Sequence, residues 1–317
     1  MRVLFLAPKY MDLYKNVLLE MKYHGLDVTF IEDKPLRYNY RFRYKHSLKE
    51  KVRNLLYRIL STIKTDYKEY WDNQLETLEN LYFDVLFVIN GFSYNRCLLE
   101  SLRSYNKKIK TRLYLWDNYY AYNFDYIISD FEKCYSLDYK DSTTIKKIEF
   151  LPSFWVANSS LEDKHNKYDV FMIGTNHDDR FFIASNIIAQ LKNNNRSYYI
   201  KLIDKNLPED EIISHSFYPT KEYLELMQES KCVLDTERPS QTGPTVRLIW
   251  ALSLGKKIIS TNEYIKKMPF YDSRQIEIID RKNPQINIDF ITEECNVNIS
   301  EYINDLRIDK WLDKILK

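Results

Sequence analysis

Glycine is scarce in this chain: five residues among 317, where average usage would supply about 22. A glycine-rich dinucleotide loop of the G-x-G-x-x-G kind is absent, and each glycine present is expected to hold a position that needs one. Cysteine is equally thin. Cys97, Cys134, Cys232 and Cys295 are far apart and form no C-x-x-C pair. With no histidine cluster beside them, they read as buried free thiols in a reducing compartment, and no metal site is expected. Long hydrophobic runs are missing. None approaches the ~20 residues that span a bilayer, and the apolar stretch after Met1 is shorter than the ~7–15 residues of a signal-peptide core. A cytoplasmic protein is expected, with any membrane contact peripheral to the inner face. Excess charge of one sign is missing too. The 47 Lys+Arg nearly balance 45 Asp+Glu, for a net +2, whereas a general nucleic-acid binder is strongly basic. No nucleic-acid partner is expected.

What is present suffices for packed cores: 44% of residues are hydrophobic, and the length suits two domains at ~100–200 residues each. Arg2–Ala7, Met11–His24 and Asp27–Ile31 read as a strand–helix–strand opening. Val85–Ile89 and Arg112–Leu115 read as buried strands, ending at Asn90-Gly91 and Trp116-Asp117-Asn118. Tyr126–Ser129 and Lys133–Ser136 read as further short strands, and Leu75–Leu81 as helix. Pro152–Lys167 lacks periodicity and reads as a linker. The pattern then restarts. Val170–Ile173, Tyr198–Leu202, Lys231–Asp235, Lys257–Ser260 and Ile276–Ile279 read as strands. Phe181–Lys192 and Lys221–Ser230, the latter capped by Thr220, read as helices, as does the tail Ile299–Lys317. The fold class expected is α/β with two Rossmann-like domains. The first covers 1–152, the second 165–298, and 299–317 is a C-terminal helix.

The segment Arg37–Lys68 stands apart. It carries ten Lys/Arg interleaved with tyrosines, and Leu48, Val52, Leu55, Leu56, Ile59, Leu60 and Ile63 recur at helical spacing. This reads as a basic amphipathic helix. It suits either an anionic membrane surface or an ordinary solvated face.

Ser230–Asn262 carries the most chemistry. A buried strand runs into the polar loop Thr236–Pro244, then a helix whose inner face offers Val246, Ile249, Ala251 and Leu252. Gly255 stands at its C-cap and a second strand follows. This is a parallel-sheet crossover whose loop feeds a helix N-terminus, a common place for an anionic group.

The run Gln241–Arg247 (QTGPTVR), then Ala251-Leu252, Gly255-Lys256-Lys257 and Thr261-Asn262, resembles the C-terminal domain of bacterial GT-B glycosyltransferases of the capsule and lipopolysaccharide type. Leu113–Asn118, Phe150–Trp155 and Asp169–Arg180 resemble further blocks of that family in the same order. The resemblance implies two Rossmann-like domains facing a central cleft, with the C-terminal helix crossing back to the first. It implies sugar transfer from a nucleotide-sugar donor to a lipid-linked or surface-polysaccharide acceptor, without a cofactor or metal. Gln241, Thr242, Gly243, Thr245, Arg247 and Arg180 then become donor- and phosphate-binding candidates. His215, Tyr218 and Glu237 become nucleoside candidates. Lys9, Asn90 and Asn118 would line the acceptor side, and Asp117 would be the general base of an inverting enzyme. The chain departs from the pattern at Trp250, where the family carries Glu, a residue that often holds the donor ribose. Asp235 or Glu237 could replace that carboxylate, while Trp250 either fills a core or stacks on a base. A non-catalytic nucleotide- or glycan-binding protein, and a nucleotide-sugar epimerase or hydrolase, are the alternative readings.

Overall fold

The computed structural model describes residues 1–10, 12–34, 67–119, 124–157, 166–216, 218–295 and 297–317. The chain forms two units, Met1–Leu151 with Leu312–Lys317, and Pro152–Trp311.

The first unit is built on six parallel strands: β1 (Arg2–Ala7), β2 (Asp27–Glu32), β3 (Val85–Ile89), β4 (Lys110–Leu115), β5 (Lys133–Ser136) and β6 (Ile148–Phe150). Their order is β2-β1-β3-β4-β5-β6. Every residue of Val85–Ile89 is buried, as expected of a parallel strand covered on both faces. Leu4, Leu6, Leu86, Val88, Leu113 and Leu115 meet helix residues Leu98, Leu99 and Leu102 in one core. The order reverses between β1 and β3, so the ligand crevice of such a sheet lies at the carboxyl ends of those strands.

The second unit repeats the plan with β7 (Tyr168–Thr175), β8 (Tyr198–Ile203), β9 (Ile213–Ser214), β10 (Ser230–Asp235), β11 (Lys257–Ser260) and β12 (Ile276–Ile278). All described pairings are parallel. The order is β12-β11-β10-β7-β8-β9. Counted from β7 this is 3-2-1-4-5-6, the Rossmann order, and its reversal falls between β7 and β10. Helix Val246–Ser253 closes with two return bonds, Gly255 N–H to Leu252 O at 3.1 Å and Lys256 N–H to Ala251 O at 2.9 Å, the pattern that ends a helix at glycine. The two Rossmann-like units expected from the sequence are thus present, and Leu312–Lys317, the end of helix Ile308–Leu316, belongs to the first.

Several local expectations are corrected. Tyr126–Ser129 is not a strand. Asp125–Ile128 is a single helical turn that buries Ile127 and Ile128, a case where a short apolar run fits both periods. Helix Tyr67–Glu76 stops before Leu81, where the Thr77 hydroxyl donates to Gln74 O at 2.7 Å and competes with the ladder. Thr220 does not cap its helix: Pro219 precedes the helix, and Thr220 Oγ1 is buried without a partner. The tail is two helices, Glu301–Asn304 and Ile308–Leu316. Strands β6 and β9, at three and two residues, escaped the sequence reading. Cys134 and Cys232 are buried, but Cys97 and Cys295 are only partly so. Of the basic segment 37–68, all but the first turn of helix Tyr67–Glu76 lies outside the described residues.

Candidate functional site

Two groups of side chains gather at strand carboxyl ends, one in each unit.

In the first unit β3 ends in a left-handed turn, Asn90 at φ 61° and Gly91 at φ 75°. Gly91 is obligatory, because a Cβ there would lie 2.3 Å from Ile127 Cδ1. The turn aims the Asn90 amide at the end of β4. Asn90 Oδ1 accepts from the Trp116 amide at 2.7 Å and the Asp117 amide at 3.3 Å, and Nδ2 donates to Asp117 Oδ2 at 2.8 Å. A strained asparagine thus holds the carboxylate in one orientation, partly exposed at the β4 edge. Asn118 beside it is buried. Lys9 follows β1 and pairs with Glu32 at 3.2 Å. Asn90, Asp117, Asn118 and Lys9 therefore share one edge, carried by the neighbouring strands β1, β3 and β4.

Asp33, which the sequence reading passed over, completes this edge. Its buried carboxylate accepts from the amides of Phe92 and Ser93, both at 2.6 Å, and from Ser93 Oγ at 2.7 Å. Burial pushes the carboxyl above its usual range, against the pull of these donors. Consecutive amides after a left-handed turn make an anion nest. Here the chain fills the nest with its own carboxylate. The only signal in the sequence was an acid directly after a strand.

In the second unit β7 and β10 end side by side at the reversal point. Two guanidinium groups meet over Gly174, where a Cβ would lie 2.9 Å from Arg247 Nη1 and 3.0 Å from Arg180 Nη1. Arg180 Nε donates to Thr236 Oγ1 at 2.9 Å and Nη1 to Thr175 O at 2.6 Å, with Nη2 on Thr236 O. Arg247 donates to Asp235 Oδ1 at 3.1 Å, Ile173 O at 2.8 Å and Thr236 O at 3.2 Å. Both arginines are buried, so they pin the two strand ends together. Asp235 is 1% exposed. Its Oδ1 also accepts from Thr245 Oγ1 at 2.6 Å, while Oδ2 is buried without a partner.

The loop Thr236–Pro244 is braced from all sides. Thr245 caps helix Val246–Ser253, accepting from the Leu248 amide at 3.1 Å. Gly243 O accepts from Asn262 Nδ2 and Gln241 Nε2, both at 3.2 Å, and Thr242 is buried. Glu237, also buried, accepts from Thr261 Oγ1 at 2.9 Å and from Arg281 Nη2 at 2.5 Å. Burial pushes its carboxyl upward while Arg281 pulls it down. Arg281 also reaches Asp179 Oδ1 at 2.6 Å, tying the loop after β7 to the loop after β10. No sequence signal marked Arg281, since its partners lie far away in the chain.

Arg180, Gln241, Thr242, Gly243, Thr245, Arg247 and Glu237 are thus brought together. His215 and Tyr218 are not. They follow the edge strand β9, where His215 Nε2 meets Leu207 O at 2.8 Å and Tyr218 Oη meets Tyr199 Oη at 3.2 Å. Trp250 is a core residue, 3% exposed, with its indole N–H on Phe154 O at 3.0 Å and its ring edge-on to Tyr223. That settles between core filling and base stacking. Two hollows, about 380 Å³ beside Arg96, Arg103 and Asp130 and about 500 Å³ beside Lys257, Arg274 and Phe290, contain none of these residues. The strand-end geometry, where ligands of open α/β sheets bind, identifies the site better than those surface hollows do. Among the described residues no cluster of His, Cys, Asp and Glu could hold a metal ion, and no helix is long and apolar enough to cross a membrane.

No family model and no curated protein matches the chain. Among solved structures it is similar to sucrose-phosphate synthase from Thermosynechococcus elongatus, at 8% identity and TM-score 0.49, covering 89% of this chain and 86% of that one. It is also similar to UGT89C1 of Arabidopsis thaliana. The complex with quercetin gives 8% identity, TM-score 0.48 and coverage of 88% and 84%. The complex with UDP-L-rhamnose gives 10% identity, TM-score 0.44 and coverage of 99% and 92%.

Proposed function

We propose that this protein is a glycosyltransferase that moves a sugar, hexosyl in type, from a nucleotide-sugar donor to a lipid-linked or surface-polysaccharide acceptor, in capsule, exopolysaccharide or lipopolysaccharide assembly. The observation that carries the reading is the β7–β10 reversal point. There a braced polar loop runs into the N-terminus of helix Val246–Ser253 in a unit of Rossmann strand order. Such a helix terminus offers amide dipoles to an anion. Arg180 and Arg247 serve a departing diphosphate indirectly, by bracing the loop and by the positive field they place at the strand ends. Charge that develops on the leaving group is stabilised there without a resident metal.

The two units differ in a way that divides the labour. The first fills its own anion nest with Asp33, which suits a neutral hydroxyl acceptor better than a phosphate. Asp117, fixed by Asn90, is then the base that takes the acceptor proton in an inverting transfer. Glu237 or Asp235, Gln241, Thr242, Gly243 and Thr245 belong to the donor side. His215 and Tyr218, which follow β9 with partners of their own, are assigned to the nucleoside end of the donor. The basic segment 37–68 supplies the contact with an anionic membrane surface from the cytoplasmic side.

A non-catalytic nucleotide-binding role is the second reading. It is favoured by one observation: Trp250 is buried and both Glu237 oxygens are engaged. Mass spectrometry of products from a panel of UDP-, GDP-, CMP- and dTDP-sugars with a polyprenyl-phosphate-sugar acceptor tests the proposal. New glycolipid supports transfer. Binding of a sugar nucleotide with no product and no released sugar supports the second reading.

A further inference from the structure

The loop after β7 carries a histidine that no role above has used. His177 lies three residues before helix Arg180–Asn193, at the same reversal point as Arg180 and Thr236. Its side chain is 19% exposed, and Nδ1 lies 2.8 Å from Asp178 Oδ2. Asp178 adopts a left-handed conformation, φ 52°, that turns its carboxylate back onto the ring. Arg238 flanks the pair, with Nη1 3.9 Å from Asp178 Oδ2. Among the described residues no protein group bonds to Nε2.

The chemistry of the ring follows from these partners. A carboxylate only accepts, so the Asp178 bond fixes the proton on Nδ1. Burial, reinforced by the guanidinium groups of Arg180 and Arg238, lowers the ring's pKa to about 4. The imidazole is therefore neutral at physiological pH, and Nε2 presents a lone pair. A lone pair repels phosphate oxygens and accepts from hydroxyls. Placed where the first strand–helix turn of a Rossmann unit meets its ligand, it selects the hydroxyl-bearing part of that ligand over its anionic part.

We propose that His177 is a specificity residue of the donor site, with Nε2 accepting a hydrogen bond from a hydroxyl of the bound sugar nucleotide and Asp178 fixing the tautomer. The inference rests on the sugar-nucleotide reading of the β7–β10 edge. The hydroxyl belongs either to the ribose or to the transferred sugar.

Calorimetric titration of the full chain with UDP, UDP-glucose, GDP, GDP-mannose and pyrophosphate tests it. Wild type is compared with His177→Phe, which keeps a ring without an acceptor, and His177→Asn, which restores an acceptor. The expected result is a loss of about three- to tenfold for the Phe variant, the range of one neutral hydrogen bond, with partial recovery in the Asn variant. A loss shared by UDP and UDP-glucose assigns the ribose, and a loss confined to the sugar nucleotide assigns the sugar. Unchanged affinity in the Phe variant, or a loss seen for pyrophosphate alone, overturns the role of His177 and leaves the donor site standing. Failure of the wild type to bind any of the four nucleotides overturns the reading beneath it. Nitrogen-15 NMR of histidine-labelled protein is an independent readout. Protonation at Nδ1 is expected, and an Nε2–H tautomer in the unliganded chain overturns this inference alone.

Discussion

Replacing Arg247 by methionine removes a buried charge while keeping most of the side-chain volume, and its consequence follows from the partners it abandons. Arg247 and Asp235 are 7% and 1% exposed. Removing one partner of a buried pair leaves the other charge uncompensated and costs about 3–5 kcal/mol. Ile173 O and Thr236 O lose a donor as well, but these losses overlap with the first and do not add fully. For a domain of ~150–250 residues each kcal/mol moves the melting temperature by ~2–4 °C, so a fall of about 6–20 °C is expected. Urea unfolding followed by tryptophan fluorescence reports the change in the second unit, where Trp250 is a core probe. A double variant, Arg247→Met with Asp235→Asn, should recover more than half of the loss, because it removes both charges and keeps an acceptor for Thr245 Oγ1. Destabilisation below about 1 kcal/mol in the single variant would refute the bracing role. So would a double variant as damaged as the sum of the two singles. The arginine would then be free to contact a ligand directly.

Other expectations follow from the same geometry. Asp117→Asn should keep the fold and nucleotide affinity yet lower turnover by roughly 10²–10⁴-fold, since it deletes the proposed base and keeps the shape; near-native turnover would make Asp117 structural. Gly174→Ala should destabilise by about 1–3 kcal/mol, because the new methyl meets Arg247 Nη1 at 2.9 Å and Arg180 Nη1 at 3.0 Å, and an unchanged melting temperature would mean that the guanidinium groups move aside freely. Reversing the charges of Arg53 and Arg58 should weaken sedimentation with anionic liposomes by about 1 kcal/mol per residue; unaltered sedimentation at low and moderate salt would make the segment an ordinary solvated helix.

The strands that position the site were legible because their physics is local. Val85–Ile89, Ser230–Asp235 and Lys257–Ser260 are wholly or almost wholly buried, and continuous apolar runs bounded by polar loops announce such strands. The restart at β7 was legible for the same reason. What failed was whatever depended on context beyond a few residues. Ile127 and Ile128 pack equally well from a strand or a helical turn, and only the Phe124 carbonyl, which accepts from both of their amides, decides the matter. The Thr220 cap failed because Pro219 takes the N-cap position, its carbonyl accepting from the Tyr223 amide, and the Thr220 hydroxyl is buried.

The direction in which a charged side chain points was not legible at all. Arg247 sits in a glycosyltransferase-like motif, yet its three acceptors come from the ends of β7 and β10, and Ile173 lies 74 positions away. Asp33 and Ser93 are 60 apart, and Arg281 and Asp179 are 102 apart. A motif fixes residue types along a segment, whereas the field at a strand edge is summed over loops that converge only in the folded sheet. The same separation explains why His177 was passed over. Nothing in the string Asn176–Asp179 says that Asp178 turns left-handed and grips its neighbour, or that Arg238, sixty-one positions on, closes over the pair. Candidate chemistry on this fold is therefore found by walking the carboxyl ends of β1, β3, β4, β7 and β10 and asking which polar atoms the protein itself leaves without partners. That criterion separates Nε2 of His177 from the fully engaged guanidinium of Arg247 more sharply than residue type can.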